Sequence, residues 1–288
     1  MPELPEVEAL AQDLRSRLSG RAIARVDIAA FSALKTFDPP LTALYGALVD
    51  DVTRHGKFLD IEASGLHLVV HLARAGWIRW RDEVPKLPPK PSNKSPLAAR
   101  VVLDDDSGLD LTEAGTQKRL AIYVVHRPED VPGIARLGPD PLAEEFTRDT
   151  LRAILTDAGR AQLKGVLRNQ SVIAGIGNAY SDELLHAARM SPFKPASSVD
   201  DEELEILYDA IRTVLGDAVE RSRGLAASEL KGEKKSHHAV HGRTGQPCPV
   251  CGDTVREVSF ADSSLQYCPT CQTGGKPLAD RRMSRLLK

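Results

Sequence analysis

Apolar and polar positions alternate from about Ala22 to Val125 with the two-residue period of strands buried on one face. The stretches RAIARVDIAA, HGKFLDIEA, LHLVVHLARAGWIRW, ARVVLDD and KRLAIYVV each read as strand and are rich in β-branched residues. Ahead of them MPELPEVEAL reads as the start of a helix. Pro2 and Pro5 suit a first turn, and Glu3, Glu6 and Glu8 suit the positive end of a helix dipole. From Thr147 to about Gly224 the period lengthens to that of helices, in TRDTLRAILTDA, LKGVLRNQ, NAYSDELLHAARM and DDEELEILYDAIRTVLGDAVERS. Several of these open on Ser, Thr, Asn or Asp in a capping position.

Breaks in the pattern divide the chain. LGPDPL, Leu137 to Leu142, places a glycine and two prolines where strands give way to helices and marks a boundary. DEVPKLPPKPSNKSP inside the β-rich part reads as a mobile loop, and LKGEKKSHHAVHGRTG reads as a flexible polar lead into a last module. The reading is an α+β, multidomain chain: 1–138 β-rich behind one helix, 139–235 helical, and 236–288 a small module with a basic tail.

Composition adds little until it is resolved along the chain. The 288 residues are 42% hydrophobic and 27% charged, with a formal net charge of -2. Residues 221–288 hold 12 Lys and Arg against 6 Asp and Glu, so a basic C-terminal module sits on an acidic body and suits a polyanionic partner. No apolar run approaches the roughly 20 residues of a membrane span, and the acidic start does not resemble a signal peptide. The expected location is therefore the cytoplasm. Cys248, Cys251, Cys268 and Cys271 form two CxxC pairs with sixteen residues between them. That spacing fits one tetrahedral structural zinc, with VREVSF and LQYC as a hairpin between the pairs and no open position for a catalytic water. His237, His238 and His241 are then expected in a solvated loop, because the cysteines already close a site.

Two further stretches carry candidate chemistry. In VIAGIGNAYSDELL, Gly175 and Gly177 permit a tight turn before a helix starting near Asn178, whose N-terminus is able to receive a phosphate. At the other end, removal of the initiator methionine turns Pro2 into a free secondary amine, a potential nucleophile.

In order along the chain, MPELPEVE, HGKFL, LGPDPL, AGIGNAYSDELL, HGRTGQPC, CPVC and CPTC resemble the formamidopyrimidine-DNA glycosylase and endonuclease VIII family of base-excision repair enzymes. The resemblance implies an N-terminal β-sandwich, a helix-two-turn-helix domain and a zinc-finger hairpin, with DNA held in a cleft between the halves. It implies a monomer acting on double-stranded DNA that contains damaged bases or abasic sites, in the nucleoid of a bacterial cytoplasm. It also implies removal of a base from a flipped-out nucleotide followed by strand cleavage. In that frame Pro2 matches the nucleophile, Glu3 the carboxylate that moves protons, Glu6 a second acid ordering the N-terminus, and Lys57 a lysine at the DNA phosphate. Lys164, Asn178 and Arg243 fall among the expected DNA contacts, and GLAASELKGEKKSHHAV is expected to carry the loop over a flipped base.

The chain departs from the family pattern where DNA is gripped. Ser263 stands where an arginine clasps phosphates, Arg74 in HLARAG where a methionine enters the gap, and Asn169 in LRNQ where an aspartate is commoner. In KRLA, Lys118 and Leu120 replace an arginine and a phenylalanine, with Arg119 between them. Two readings stay open: an active glycosylase and abasic-site lyase, or a relative that binds damaged DNA without excising a base.

Overall fold

The computed structural model describes residues 1–92, 95–260 and 263–279. The basic tail expected at the C-terminus lies outside them from residue 280 onward. The chain forms two compact units: Met1–Leu137 with Ser222–Lys231, and Gly138–Arg221 with Gly232–Lys288.

The first unit opens with α1 (Leu4–Leu18). Glu3 caps it: the Glu3 amide donates to Glu6 Oε2 at 2.8 Å, and the Glu3 side chain accepts from the Glu6 amide. Behind it, β1 (Ile23–Ile28), β6 (Leu97–Leu103), β7 (Gly108–Glu113) and β5 (Gly76–Arg81) form one antiparallel sheet in the order β1-β6-β7-β5. A second antiparallel sheet runs β2 (Val49–His55), β3 (Phe58–Ala63), β4 (Leu66–His71), β8 (Ala121–Val125). Val26, Val101 and Leu109 of the first sheet share one core with Leu59, Leu68 and Ile122 of the second and with Leu10 and Leu14 of α1. This is the layered arrangement that alternating strands produce when each sheet has one apolar face.

One expected strand is two. LHLVVHLARAGWIRW breaks at the turn 72–75, so that β4 and β5 lie in different sheets. The break is enforced at Gly76, where the amide donates to Leu72 O at 2.8 Å and a Cβ would lie 2.0 Å from that oxygen. No side chain fits, so the chain turns there.

The second unit contains α2 (Arg148–Ala158), α3 (Leu163–Arg168), α4 (Asn178–Ala187) and α5 (Asp201–Ser222) up to Arg221. Thr147 caps α2 by accepting from the Thr150 amide at 3.2 Å, and Asp200 Oδ1 accepts from the Glu203 amide at 2.9 Å at the head of α5. The zinc-finger hairpin, β9 (Arg256–Ser259) paired with β10 (Ser264–Tyr267), and the short α7 (Pro269–Thr273) belong to this same unit. The stretch expected as a flexible lead is in part helical, α6 (Leu230–His237), with Leu230 buried in the core of the first unit. An apolar residue with a buried position and a helix-compatible run of Lys and Glu behind it is sufficient to order this segment.

Candidate active site and nucleic-acid interface

The first unit presents Pro2 at the head of α1. Pro2 is buried, and Glu3 and Glu6 are each only 2% exposed. Two carboxylates are tolerated here because each accepts a backbone amide of the other residue at the positive end of the helix. The arrangement fixes both acids within a turn of the Pro2 nitrogen.

Lys57 follows Gly56, whose φ of 56° forms the tight β2–β3 hairpin turn, and the lysine is 7% exposed. His71 is a residue that sequence reasoning missed. It pairs with Phe58 across β3 and β4, with ring centroids 4.6 Å apart. Burial first, and the Lys57 charge second, lower its pKa to about 4, so it is a neutral imidazole near neutral pH. Its signal was the first residue of HLARAG, a motif read for its arginine alone. His55 and His67 both reach Asp60, with contacts of 3.0 Å.

The residues expected at a DNA gap lie on two adjoining loops. Gly76 pairs with Glu113 and His71 with Ala121, so the turn 72–75 adjoins the loop 114–120. Arg74 is exposed in that turn, after Ala73 with φ 51°. Leu120, however, is 2% exposed and belongs to the core, which removes it from any wedge. An apolar side chain beside an open core position goes inward. The buried Glu113 carboxylate accepts the amides of Arg119 at 2.8 Å and Leu120 at 3.0 Å. The Lys118 ammonium turns back to the Glu113 and Ser95 carbonyls. Arg119 is the residue of the three left exposed.

In the second unit Gly175, with φ 85°, and Gly177, the N-cap, lead into α4 as expected. Gln170 braces the turn: its side chain donates to Ile176 O at 2.6 Å and accepts from the Gly175 amide at 3.0 Å. Asn169 Oδ1 accepts from the Ser171 amide at 3.1 Å and hydroxyl at 2.8 Å, a task for which an amide oxygen serves as well as a carboxylate. Asn178 Nδ2 donates to Ser264 O of the finger at 2.8 Å, and its Oδ1 is buried without a hydrogen-bond partner.

Lys164 is not placed as a surface cation for DNA. It is 5% exposed and donates to Asn178 O at 3.0 Å, Ser181 Oγ at 2.7 Å and Asp182 Oδ1 at 2.7 Å. A buried ammonium needs such a set of acceptors, and here they are internal. The histidines also part from expectation. His237 is in a half-exposed position beside Glu233, but His238 is 7% exposed against Tyr180 and His241, and His241 Nδ1 lies 2.7 Å from Asp182 Oδ2. Arg243 donates to Gln246 Oε1 at 3.0 Å and His238 O at 3.2 Å, and Ser263 O accepts from the Phe260 amide at 2.8 Å.

The Sγ atoms of Cys248, Cys251, Cys268 and Cys271 all lie within 4.8 Å of one another, with Cys251–Cys268 at 3.3 Å and Cys248–Cys271 at 3.9 Å. Four thiolates around one zinc stand about 3.8 Å apart, so the set fits a closed structural site. Burial pushes the Cys268 thiol up to about 11 and Cys271 higher, a crowding that a bound dication relieves by holding all four as thiolates. The Gly252 amide donates to Cys248 O at 2.9 Å and the Gln272 amide to Cys268 O at 3.0 Å, forming the two turns that aim the sulfurs. His186, kept neutral by burial and by Arg189, sets Nε2 3.2 Å from Cys248 Sγ.

Three family models match the chain in sequence: the formamidopyrimidine-DNA glycosylase N-terminal domain over residues 1–120, its H2TH domain over 137–229, and the zinc finger found in FPG and IleRS over 245–274. The formamidopyrimidine-DNA glycosylase of Symbiobacterium thermophilum is 38% identical over 98% of this chain and 93% of its own. That of Thermus thermophilus is 36% identical over 96% and 100%. An uncharacterized formamidopyrimidine-DNA glycosylase-like protein of Mycobacterium tuberculosis is 60% identical over 53% of this chain and 94% of its own. Among solved structures, the MutM (Fpg) protein of Thermus thermophilus superposes with a TM-score of 0.80 at 33% identity, covering 96% of this chain and 100% of that one. A Lactococcus lactis Fpg complex with N7-benzyl-Fapy-dG DNA gives 0.83 at 25% identity, covering 94% and 100%. With its N-terminal, helical and finger segments all matched in order, the chain belongs to the formamidopyrimidine-DNA glycosylase family.

Proposed function

We propose that this protein is a base-excision-repair DNA glycosylase and abasic-site lyase that works through Pro2, as a monomer on duplex DNA carrying damaged bases or abasic sites in the bacterial cytoplasm and nucleoid. The observation that carries the reading is Pro2 at the head of α1 with two buried, backbone-held carboxylates, Glu3 and Glu6, in the same turn. Once Met1 is removed, the Pro2 nitrogen is an α-amine, a class of group more readily neutral at cellular pH than a lysine side chain and so able to act as a nucleophile. It attacks C1′ of the damaged nucleotide, the bond to the base breaks, and the base leaves with a proton. The Pro2 nitrogen gives up its proton, the C1′–O4′ bond breaks with a proton delivered to O4′, and the opened sugar stays joined to nitrogen as an iminium, which is positively charged without protonation. That charge acidifies the C2′ hydrogen, and its loss expels the 3′-phosphate.

Glu3 is the proton carrier nearest the new bond, and Glu6 holds the Glu3 amide so that the turn keeps its shape. Lys57, beside a histidine that stays neutral, contributes a positive charge for a phosphate next to the reacting sugar. Cys248, Cys251, Cys268 and Cys271 hold one zinc, which supplies structural support to the hairpin. Arg74 and Arg119 are the exposed arginines on the two adjoining loops and take the place of an apolar wedge.

Borohydride trapping on duplexes bearing oxidised purines, oxidised pyrimidines and abasic sites tests the reading. A covalent adduct is expected, slowed by Pro2→Gly, whose primary amine forms an imine that must still be protonated, and absent when Pro2 nitrogen stays acylated by an unremoved residue. Zinc-loaded, processed protein that forms no adduct with any substrate refutes excision. The second reading, a binder of damaged DNA that does not excise, has a specific observation behind it: Leu120 is buried and Ser263 carries no charge, so two expected DNA contacts are absent from their positions.

A further inference from the structure

Along α4 the residues at every fourth position reach the finger. Asn178 Nδ2 donates to Ser264 O at 2.8 Å, Asp182 Oδ2 accepts from the Gln266 amide at 3.2 Å, and His186 Nε2 lies 3.2 Å from Cys248 Sγ. Beyond the helix, Met190 O accepts from Gln272 Nε2 at 3.0 Å. The first two steps keep register for a geometric reason. Four residues of helix advance about 6 Å and two residues of strand about 6.6 Å, so α4 and β10 stay in step from Asn178–Ser264 to Asp182–Gln266.

Asp182 stands at the centre of this ladder and ties it to two further segments. Its side chain is fully buried, and it joins three segments: Lys164 Nζ of α3 at 2.7 Å, His241 Nδ1 of the turn before the finger at 2.7 Å, and the Gln266 amide of β10. Its neighbour Glu183 accepts the amides of Ala239, Val240 and His241 at 2.6, 3.1 and 2.7 Å. Both carboxylates are buried. Both fix where the finger and the His241 ring sit on the helix.

We propose that Asp182 is a positioning residue for DNA binding: it sets β10 and the ring of His241 on α4, and through them the placement of the finger, without touching nucleic acid. This rests on the reading that the second unit grips DNA. A carboxylate that merely neutralised Lys164 would be replaceable, together with that lysine, by apolar residues of similar size. A carboxylate that also orients an imidazole and a strand amide is not replaceable in that way.

The test compares wild-type protein, Asp182→Asn and the double variant Lys164→Met with Asp182→Leu, all full-length and zinc-loaded. Binding to a duplex holding a tetrahydrofuran abasic analogue is read by anisotropy, and turnover on an abasic duplex gives kcat and KM. Both variants are expected to keep one zinc per chain, to lose binding and raise KM by roughly tenfold or more, and to hold kcat within about threefold. Proton NMR gives an independent signature, since the His241 Nδ1 proton, hydrogen-bonded to a carboxylate in the wild type, should vanish or move upfield in both variants. Normal binding by the double variant overturns the proposal, because Asp182 then serves Lys164 alone. A fall in kcat at constant KM overturns it as well. So does loss of zinc from both variants, which would make the carboxylate a folding determinant. Wild-type protein that ignores the abasic duplex refutes the functional reading instead, while the NMR signature still decides whether Asp182 orients the ring.

Discussion

Two buried acidic pairs, one in each unit, look alike in isolation and differ in what surrounds them. Glu3 and Glu6 accept amides from their own helix turn beside Pro2, whereas Asp182 and Glu183 accept from an ammonium, an imidazole and four backbone amides on other segments. The first pair is organised locally and lies next to a potential nucleophile. The second is a junction between segments. Burial of paired carboxylates is therefore not in itself a sign of catalysis, and the source of the hydrogen-bond donors distinguishes a locally organised pair from a junction.

The sharpest way to break this division is at the first pair. Blocking the Pro2 nitrogen with an unremoved residue should reduce adduct formation and strand cleavage to background while abasic-duplex binding persists. Loss of binding to the same degree would show that the two regions do not separate as described. Removing zinc acts from the other side. Structural zinc contributes on the order of 10 kcal/mol to small sites, so chelation should unfold the finger and abolish DNA binding, while the melting of the β-rich unit, followed by Trp77 and Trp80 fluorescence, remains cooperative.

Leu120 and Arg119 sharpen the contrast within one loop. Leu120→Ala should cost about 2–5 kcal/mol of stability, as core truncations do, and Arg119→Ala within about 0.5 kcal/mol, with denaturant titration as the measure. DNA affinity should respond in the opposite order. His71 provides a pH test. Its folded pKa, about 4, lies below the ordinary 6.5, so the unfolded chain binds the proton more readily and stability is lost as pH falls from 6.5 toward 4. Between pH 7 and 5 the wild type should lose about 2 kcal/mol more than His71→Asn. The smallest expected effect is at the finger tip, where Ser263→Arg should tighten binding and steepen the slope of log K against log salt by about 1. An unchanged slope would mean that this position does not face a phosphate.

Much of this organisation was legible in the sequence for physical reasons. Strand alternation, the four cysteines and the glycine turn before Asn178 are local patterns, and local patterns determine local structure. The capping box at the head of α1 was legible because Glu3 and Glu6 are close in the chain, and the proposed role of Pro2 rests on the same short stretch. What escaped depended on distant partners. Lys164 reads as a cation for DNA until Asp182, eighteen positions later, is seen to enclose it. KRLA reads as strand until Glu113 binds the amides of Arg119 and Leu120 and delays β8 to Ala121. His241 reads as a solvated histidine until Asp182 fixes its ring. Tertiary contacts overrode propensity in each case, and each involved a buried carboxylate.

The hold of Glu113 on the 119–120 amides has a consequence for how this loop can change over generations. Because the anchor grips main chain, the path of the loop does not depend on the side chain at position 119. Natural variation or laboratory selection can therefore exchange that side chain freely, as a tool is changed on a fixed mount, and alter what the loop presents without redrawing its path.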